Sequence, residues 1–502
     1  MKRILIRAAV SPFETREPIE TLTNNLLGNN TGNLLFAYSM SRTLYTEDTE
    51  MDFISDIKVI RGEISPEFIN ENYDYLVLPM ANSFRGTFSA ILNKWSELIE
   101  KLNIPCVVTG IGVQMAYEPD ITGKHPFDDS AKRFVTAVLN HSHSVGVRGV
   151  ITQAYLNHLG FRDIDVTGCP SIEMFGPGLK VRDPKSLTRE SAVCVTGSVS
   201  SPLNFNKFMV KNFEKLPNYY FMPQFNDDLR LMYLGIPFHT ANEAQNLYPH
   251  DISSEVLVND RARFFIDMPS ILKFNEGIDF NYGTRIHGAV GCILCGVPSL
   301  LFTSDARTRE LADYHNVPSM PVSIIDDDTD IFELYEKTDF SIVNKGHKER
   351  FWHFVDFLNN NGLPHIYQDE NRKTVPFDEK IKNIEFYGPV HSIYTCSKEE
   401  MLERLSIGQK LQCDEIGKII KERNDAKAKL KNQSKKINAQ KKTIDEQKTS
   451  MQRQSKILGE KSVELDTCKK ELGVCKKRLS WYDNNSAAHI AGSRIKKKLK
   501  SK

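Results

Sequence analysis

The chain of 502 residues lacks several features that would place it in a specialised class of protein. No run of 18 apolar residues occurs, which excludes a membrane-spanning helix. Nine cysteines are scattered along the chain, and their odd number is typical of free thiols in a reducing compartment. The opening residues, 1–10, are interrupted by Arg7 and have no secretory cleavage site. We therefore expect a globular protein of the cytoplasm.

Common catalytic signatures are missing as well. Gly110-Ile-Gly112 follows a predicted strand, but Met115 stands where the dinucleotide-binding fingerprint needs a glycine. The pair Cys292-Ile-Leu-Cys295 has no second pair with which to bind zinc, and no His-Glu-x-x-His occurs. Neither is there a complete phosphate-binding loop. These absences disfavour a nicotinamide enzyme, a P-loop ATPase and a zinc protein.

The formal net charge of +1 conceals an asymmetry. Residues 421–502 hold 24 of the 65 Lys and Arg but only 9 of the 64 Asp and Glu. The rest of the chain is therefore acidic, and the C-terminal sixth is strongly basic.

Two successive α/β units are predicted upstream of the basic segment. Short Val- and Ile-rich runs followed by turn residues are typical of buried parallel strands, and helical spacing fills the intervals between them. An N-terminal lobe, 1–178, has candidate strands at 3–10, 54–60, 73–79, 105–113, 144–148 and 164–167. A C-terminal lobe, 185–362, has them at 192–196, 219–223, 236–239, 278–281 and 298–302, and an amphipathic helix at 351–358 that we expect to close it. The alternation predicts two doubly wound, Rossmann-like lobes with a cleft between them.

The C-terminal part of the chain has a different pattern. Residues 363–397 are predicted to form an irregular connector, and 398–480 a helix. One apolar residue recurs at every seventh position, at Leu430, Ile437, Ile444, Met451, Leu458, Leu465, Leu472 and Leu479. This repeat predicts a coiled coil and hence a homo-oligomer. The other core position of each heptad, three residues further on, is Gln at 433, 440, 447 and 454 and Lys at 461, so the number of helices in the coil stays open. A single solvated helix is the alternative.

The last segment, 481–502, is a basic tail. Six of its final ten residues are Lys or Arg. Such a segment is suited to an anionic membrane surface, where each basic residue contributes about 1 kcal/mol. No aromatic residues are interleaved with this charge, so we expect no binding to nucleic acid. A solvated, idle tail is the alternative.

The segment 279–290 contains the best candidates for catalysis. A strand is predicted to end near Tyr282, and Arg285 and His287 then lie at the entry to a helix, where backbone N–H groups already favour an anion. Arginine offers a fixed fork to phosphate or carboxylate, and histidine can act as an acid or a base. A turn arginine paired with an acidic neighbour, beside a packed histidine, would give the same pattern.

Other polar residues follow predicted strands of the N-terminal lobe. Arg148 comes directly after the run 144–147. Asn33, Asn82 and Gln114 are expected on the same rim, where amides can bind the hydroxyls of a sugar. Amide residues are equally good turn formers, so both interpretations stay open for these three.

Taken together, these motifs resemble the polysaccharide pyruvyl transferase family. The similarity runs from about residue 28 to about 320 and depends on the stretches 283–288, 296–298, 305–307 and 167–171 and on the strand end at Arg148. It implies a two-lobed fold of the GT-B type and transfer of a pyruvyl group from phosphoenolpyruvate to sugar hydroxyls as a ketal. It also implies a role in exopolysaccharide, capsule or cell-wall synthesis, with a sugar or lipid-linked oligosaccharide as acceptor. By this resemblance Arg148, Arg285, Ile286 and His287 hold phosphoenolpyruvate.

The chemistry of that reaction fits the residue types. Arg148 and Arg285 can neutralise the carboxylate and phosphate of phosphoenolpyruvate without titrating, so no metal or other cofactor is required. His287 is the candidate general acid, since an ordinary imidazole pKa of about 6.5 makes both protonation states accessible. Arg307 is a further candidate ligand, although a surface ion pair would also explain it. Two other functions stay open: a nucleotide-sugar glycosyltransferase of the same fold, and a non-catalytic coiled-coil scaffold.

Overall fold

The computed structural model describes residues 1–28, 30–369 and 371–500. The chain divides into two compact units, Met1–Lys410 and Leu411–Lys502. No helix within the described ranges combines the length and the apolar character that a membrane span requires.

The N-terminal part of the first unit contains a four-stranded parallel sheet with the order β2-β1-β3-β5, and two further parallel pairs, β4-β6 and β7-β8. Its strands are β1 (Lys2–Arg7), β2 (Thr49–Ile54), β3 (Tyr75–Pro79), β4 (Asn82–Phe84), β5 (Cys106–Thr109), β6 (Gly112–Val113), β7 (Val145–Val147) and β8 (Ile164–Val166). Its helices are α1 (Pro18–Thr23), α2 (Gly32–Leu44), α3 (Asp56–Arg61), α4 (Pro66–Asn72), α5 (Ser89–Ile99), α6 (Asp128–Leu139) and α7 (Val150–His158).

The rest of the first unit contains a five-stranded parallel sheet with the order β10-β9-β11-β12-β13. Its strands are β9 (Val193–Thr196), β10 (Tyr219–Phe221), β11 (Phe280–Gly283), β12 (Ser299–Thr303) and β13 (Ser319–Pro321). Its helices are α8 (Leu203–Lys215), α9 (Asn226–Leu234), α10 (Glu243–Asn246), α11 (Glu255–Val258), α12 (Met268–Asn275), α13 (Ile286–Leu294), α14 (Ala306–His315), α15 (Ile331–Lys337), α16 (His347–Asn360) and α17 (Pro376–Ile381).

Both sheets are doubly wound, as the alternation of apolar runs predicts. In each sheet the chain starts at an inner strand, adds one strand on one side and then continues on the other side. The direction therefore reverses between β1 and β3 in the first sheet and between β9 and β11 in the second. Ligands of such sheets bind beyond the carboxyl ends of the strands at these reversal points.

Side-chain alternation in the first sheet produces two hydrophobic layers. Leu5 of β1 faces a core formed with α5 and α6, which includes Trp95. Ile4 and Ile6 point to the opposite face, where they pack with α2 and with Phe354 of α16. The expectation that the helix at 351–358 closes the second lobe is therefore wrong: its apolar side covers the first sheet.

Three other local predictions differ from the structure. Residues 54–60 are not a strand, because Ser55 accepts a hydrogen bond from the Lys58 N–H and starts α3. The run 236–239 forms no strand. The connector 363–397 is not wholly irregular, since α17 lies within it and Phe377 joins the core. The apolar residues of all three segments are compatible with more than one conformation, and tertiary packing decides between them.

Two crossings of the chain between the two sheets lie side by side, and a further one follows α16, where Val390 pairs with Phe264 beside the second sheet. The first crossing includes Val181, and the second includes Asn344 and leads into α16. The side chain of Asn344 bonds both backbone groups of Val181: its Oδ1 accepts from the N–H at 2.8 Å and its Nδ2 donates to the carbonyl at 3.2 Å. His347 Nε2 lies 3.0 Å from the carbonyl oxygen of Gly176. The two crossings are therefore hydrogen-bonded to each other.

The C-terminal region is helical, as predicted. Helix α18 (Lys398–Asn485) runs without interruption for 88 residues, and α19 (Ala487–Leu499) follows it. The apolar residues of the seven-residue repeat are 48–69% exposed. Association through this repeat and membrane attachment through the basic tail stay predictions.

Candidate active site

Four arginines follow four different strands. Arg85 comes after β4 and Arg148 after β7, which belong to the two short parallel pairs, whereas Arg285 follows β11 and Arg307 follows β12 of the second sheet. Burial lowers the pKa of the first three and the charge of Arg307 lowers it further, so the four groups lie close together. Each arginine lies beyond the carboxyl end of its strand, where ligands of parallel sheets bind. The cluster is suited to a small ligand with several negative charges.

Arg285 lies at the reversal point of the second sheet. Gly283 is needed there, because a Cβ at this position would lie 1.9 Å from the carbonyl oxygen of Thr196 on β9. The Arg285 Nε donates to Gln224 Oε1 at 3.3 Å, and the guanidinium lies 4.6 Å from the centre of the Phe225 ring. Burial, followed by the charge of Arg307, lowers the pKa of Arg285 to about 10.

His287 is on the first turn of α13, two residues after Arg285 and next to the buried Ile286. Burial, followed by the charges of Arg148, Arg285 and Arg307, lowers the pKa of His287 well below its ordinary value. The imidazole of His287 is therefore neutral at pH 7, unlike the freely titrating histidine that the sequence suggests. Its Nε2 is buried and has no hydrogen-bond partner among the described residues. This nitrogen is the one available to a ligand.

The first sheet's side of the cleft holds His287 in place. The Phe36 ring of α2 lies 5.9 Å from the imidazole, centre to centre. Gly32, the first residue of α2, lies so close that a Cβ there would be 2.4 Å from His287 Nδ1. The Thr31 N–H also donates to the Gln224 carbonyl at 2.9 Å, which joins the two sides of the cleft.

We expect Gly32→Ala to reduce activity by about tenfold or more, because the added methyl group displaces the imidazole and a 1 Å misplacement can cost a hundredfold. The measurement is turnover of the purified variant, with circular dichroism to check folding. Gly178→Ala is the matched control, since a Cβ at Gly178 has no heavy atom within 4 Å among the described residues. Equal activity of both variants would contradict the assigned position of His287.

Arg148 is the most deeply buried cation of the cluster, with 1% of its surface exposed. Its Nε and Nη2 find no hydrogen-bond partner in residues 1–28, 30–369 or 371–500. Burial lowers the pKa of Arg148. A buried guanidinium without partners is costly unless a ligand supplies the missing acceptors. Its two free nitrogens are thus the strongest sign that an anion binds here.

Helix α14 carries Arg307 and brings a carboxyl group, that of Glu310, to the cluster. Arg307 donates from Nη2 to Asp305 Oδ2 at 3.0 Å, so the ion pair that the sequence suggests does form, yet the Nε of Arg307 is buried and unpartnered within the described part of the chain. Glu310, one turn further on, accepts from the Thr152 N–H at 2.8 Å and from its hydroxyl at 2.7 Å. Burial raises the pKa of Glu310 to about 7. The carboxyl group thereby attaches α14 to α7 on the other side of the cleft.

A cavity of about 410 Å³ opens beyond the carboxyl end of β1. Arg7, Asn33, Phe36, Asp56 and Arg85 contribute to its wall. Because Phe36 also contacts His287, this cavity adjoins the arginine cluster.

The three candidate acceptor residues make hydrogen bonds within the protein. Asn33 borders the cavity, but its Nδ2 donates to the carbonyls of Leu27 and Gly28 at 2.8 and 3.3 Å. The Asn82 Nδ2 donates to Gln114 Oε1 at 2.8 Å, so these two amides bond each other. Asn82 Oδ1 is buried without a partner in the described ranges. The turn-forming role of Asn33 is therefore visible, whereas acceptor binding by all three stays a prediction.

A buried carboxyl group lies between two histidines behind the site. Glu173 Oε1 is 3.5 Å from His315 Nδ1, and Oε2 is 3.7 Å from His347 Nδ1. The Cys169 N–H donates to His315 Nε2 at 2.8 Å, which leaves the proton of that ring on Nδ1, facing Glu173. Burial raises the pKa of Glu173 to about 8. Neither carboxyl oxygen has a hydrogen-bond partner among the described residues, and the raised pKa favours the neutral, protonated form of Glu173 beside the two imidazoles.

We expect the free energy of unfolding to fall as pH rises from about 5 to about 9. The pKa of Glu173 is raised on folding, so its contribution is fully present below the unfolded value and is lost as pH rises through about 8. In Glu173→Gln the amide keeps both contacts and cannot ionise. Thermal melts should therefore show a smaller loss of stability for the variant between pH 6 and 9, by about 2–3 kcal/mol. Parallel curves for both proteins would mean that Glu173 is already ionised.

Sequence reasoning missed several residues of the site. Arg85 was hidden because 84–102 has helical spacing, whereas the structure ends a short strand at Phe84 and starts α5 only at Ser89. Gln224, Phe225 and Gly32 have no motif that singles them out. A polar residue directly after each strand is the one signal that would have found Arg85.

The fold and the site together define an α/β protein with a cluster of arginines in a cleft between two parallel sheets. A family model for polysaccharide pyruvyl transferase matches residues 30–306, more than half of the chain. The chain therefore belongs to the polysaccharide pyruvyl transferase family. The match includes Asn33, Asn82, Gln114, Arg148, Arg285 and His287, and ends one residue before Arg307.

Other comparisons give distant likenesses. No curated protein matches the chain. Among solved structures, UDP-GlcNAc 2-epimerase from Neisseria meningitidis is 9% identical, with a TM-score of 0.38, covering 72% of this chain and 100% of that one. S. aureus MnaA with UDP is 12% identical, with a TM-score of 0.37 and coverages of 72% and 98%. Acinetobacter baumannii MurG is 10% identical, with a TM-score of 0.32 and coverages of 72% and 99%.

Proposed function

We propose that this protein transfers the pyruvyl group of phosphoenolpyruvate to two hydroxyls of a sugar, forming a cyclic ketal on a polysaccharide or on its lipid-linked precursor. The observation that carries the proposal is the buried, unpartnered guanidinium of Arg148 beside Arg285, Arg307 and His287. Phosphoenolpyruvate carries a carboxylate and a phosphate on one carbon atom, and such a compact polyanion supplies the acceptors that these groups lack.

The arginines have the task of binding charge. Arg148 and Arg285 keep their charge at any working pH even though burial lowers the pKa of both. Backbone N–H groups at the start of α13 add further donors beside Arg285 and Ile286. Arg307 is already paired with Asp305, so its remaining donors include the unpartnered Nε.

Ketal formation then requires movement of protons. One proton adds to the methylene carbon, which becomes a methyl group, and positive character develops at the neighbouring carbon. The first sugar hydroxyl bonds to that carbon, the bond from the same carbon to the phosphate oxygen breaks, and the second hydroxyl completes the ketal. The two hydroxyls release two protons. One replaces the proton that was added to the methylene carbon, and the other leaves with the phosphate.

His287 is the group placed to handle these protons. Its Nε2 is free, and the negative charge of a bound ligand offsets the three arginines that lower its pKa. The imidazole would then gain a proton as phosphoenolpyruvate binds and become a general acid. The cavity beside Phe36 is the place we assign to the sugar, since its wall contains both charged and apolar groups.

The test is to incubate the purified full chain with phosphoenolpyruvate and a panel of cell-surface glycans and lipid-linked oligosaccharides. We expect release of inorganic phosphate together with a product that carries the mass of a pyruvyl ketal. His287→Ala should give neither. Phosphate release that does not depend on His287, or calorimetric binding of UDP-sugars but not of phosphoenolpyruvate, would contradict the proposal.

A further inference from the structure

The C-terminal part of α18 presents a row of large apolar side chains to solvent. Leu458, Leu465, Leu472 and Leu479 are 69, 55, 56 and 66% exposed. They are seven residues apart, so they lie along one side of the helix. A helix in water gains most of its stability when such a row packs against another apolar surface. Gly459 and Gly473 lower the intrinsic stability of this part of α18 further.

The positions between these leucines define the rest of the seam. With the leucines at the a positions of a heptad abcdefg, the d positions are Lys461, Cys468, Cys475 and Tyr482. Three of these four can be buried against a copy of themselves, and Lys461 can extend its charged end to solvent at the edge of a pair of helices. A third helix would close that edge, so the lysine favours two strands.

The charges that flank the seam indicate how two such helices align. In a parallel pair in register, each g position faces the e position five residues further along the other chain. This alignment places Glu464 opposite Lys469, Glu471 opposite Lys476 and Arg478 opposite Asp483 of a second copy. All three pairs have opposite signs.

Other arrangements lose this complementarity. An antiparallel pair sets e positions against e positions, and that row contains Lys441, Lys448, Lys469 and Lys476. Further upstream, the parallel alignment would oppose Lys436 with Lys441. The favourable segment is therefore limited to the last heptads of α18.

We propose that residues 458–483 of two copies of this chain pair as a parallel, in-register, two-stranded coiled coil. The leucine row of one copy thus packs against the leucine row of the other copy. Because the pairing is independent of the proposed chemistry, it can hold whether or not the pyruvyl transfer assay succeeds.

Charge reversal tests the alignment on the full chain. In E464K/E471K the g positions repel the lysines of the partner, and in K469E/K476E the e positions repel its glutamates. We expect each variant alone to dimerise at least about tenfold more weakly than the wild type in sedimentation velocity, because four ion pairs change sign. An equimolar mixture of the two should regain the wild-type dimer, since every reversed pair again has opposite charges.

The matched control is E460K/D466K, which makes the same change of charge at positions c and b, away from the seam. We expect its dimer to be as stable as the wild type. A monomeric wild type, a trimer, or a mixture of the reversed variants that fails to associate would overturn the proposal.

The cysteines test the orientation separately. With Cys413→Ser removing the other exposed thiol of α18, one variant keeps only Cys468 and another only Cys475 on this helix. Copper phenanthroline and air, which accept the two electrons and two protons of two thiols, should link both variants into disulfide dimers. An antiparallel pair that crosses at Cys468 would separate the two Cys475 residues by about 21 Å. Dimers from only one variant, or from neither, would contradict the parallel alignment.

Discussion

Replacing Arg148 with methionine will stabilise the protein and at the same time abolish its activity. The guanidinium is buried, with two nitrogens unpartnered in the described residues, so its removal relieves a desolvation penalty of about 2 kcal/mol in the empty protein. Methionine has a similar length and no polar group to satisfy. Glu310, whose pKa burial raises to about 7, can take up a proton when the neighbouring charge is lost.

The expected effect of the same substitution on catalysis is unfavourable, and it is larger than the gain in stability. Without Arg148 the ligand loses a charge-assisted partner in a dry site, and we expect kcat/KM for phosphoenolpyruvate to fall by about a thousandfold. The measurements are a thermal melt without ligand and steady-state kinetics on the same preparation. Arg453→Met is the matched control, because Arg453 is exposed on α18 and should change neither quantity. A lower melting temperature for Arg148→Met would show that this arginine is structural.

The second large effect concerns His287. We expect His287→Gln to lower kcat by a factor of about 10²–10⁴, the usual contribution of a positioned general acid or base. Glutamine keeps a polar group of similar size in the pocket, so the affinity for phosphoenolpyruvate should change much less than kcat.

Proton uptake distinguishes catalysis by His287 from simple binding. The pKa of the empty site's imidazole is well below its ordinary value because of burial and three arginines, so the ring is neutral at pH 7. Binding of a polyanion reverses that electrostatic balance. Calorimetric titration in two buffers of different ionisation enthalpy should therefore show more protons taken up by the wild type than by His287→Gln, with a difference approaching one. Equal uptake would assign the proton to another group.

The sequence was sufficient to predict the elements that depend on local patterns. Two doubly wound sheets, the strand that ends at Gly283 and the long helix beyond residue 398 all have regular spacing of apolar residues over several turns or a full strand. Arg148, Arg285, His287 and Arg307 could be singled out because each follows a strand, and the structure brings these four side chains together, whereas Ile286 was indicated only by the family resemblance.

What could not be predicted depends on contacts between distant segments. The apolar face of α16 is compatible with either sheet, and only packing against Ile4 and Ile6 decides which one it covers. The pKa of His287 depends on burial and on three arginines that are 2, 20 and 139 residues away in sequence, so its ordinary value was a poor guide. Glu173 lies near His315 and His347, which are 142 and 174 residues further along the chain.

Several segments that are distant in sequence link the two sheets. Asn344 binds both backbone groups of Val181 and so ties two crossings of the chain to each other. After α16 the chain returns to the side of the second sheet, where Val390 pairs with Phe264. The position of His287 against α2 therefore does not rest on any single connection between the two halves of the fold.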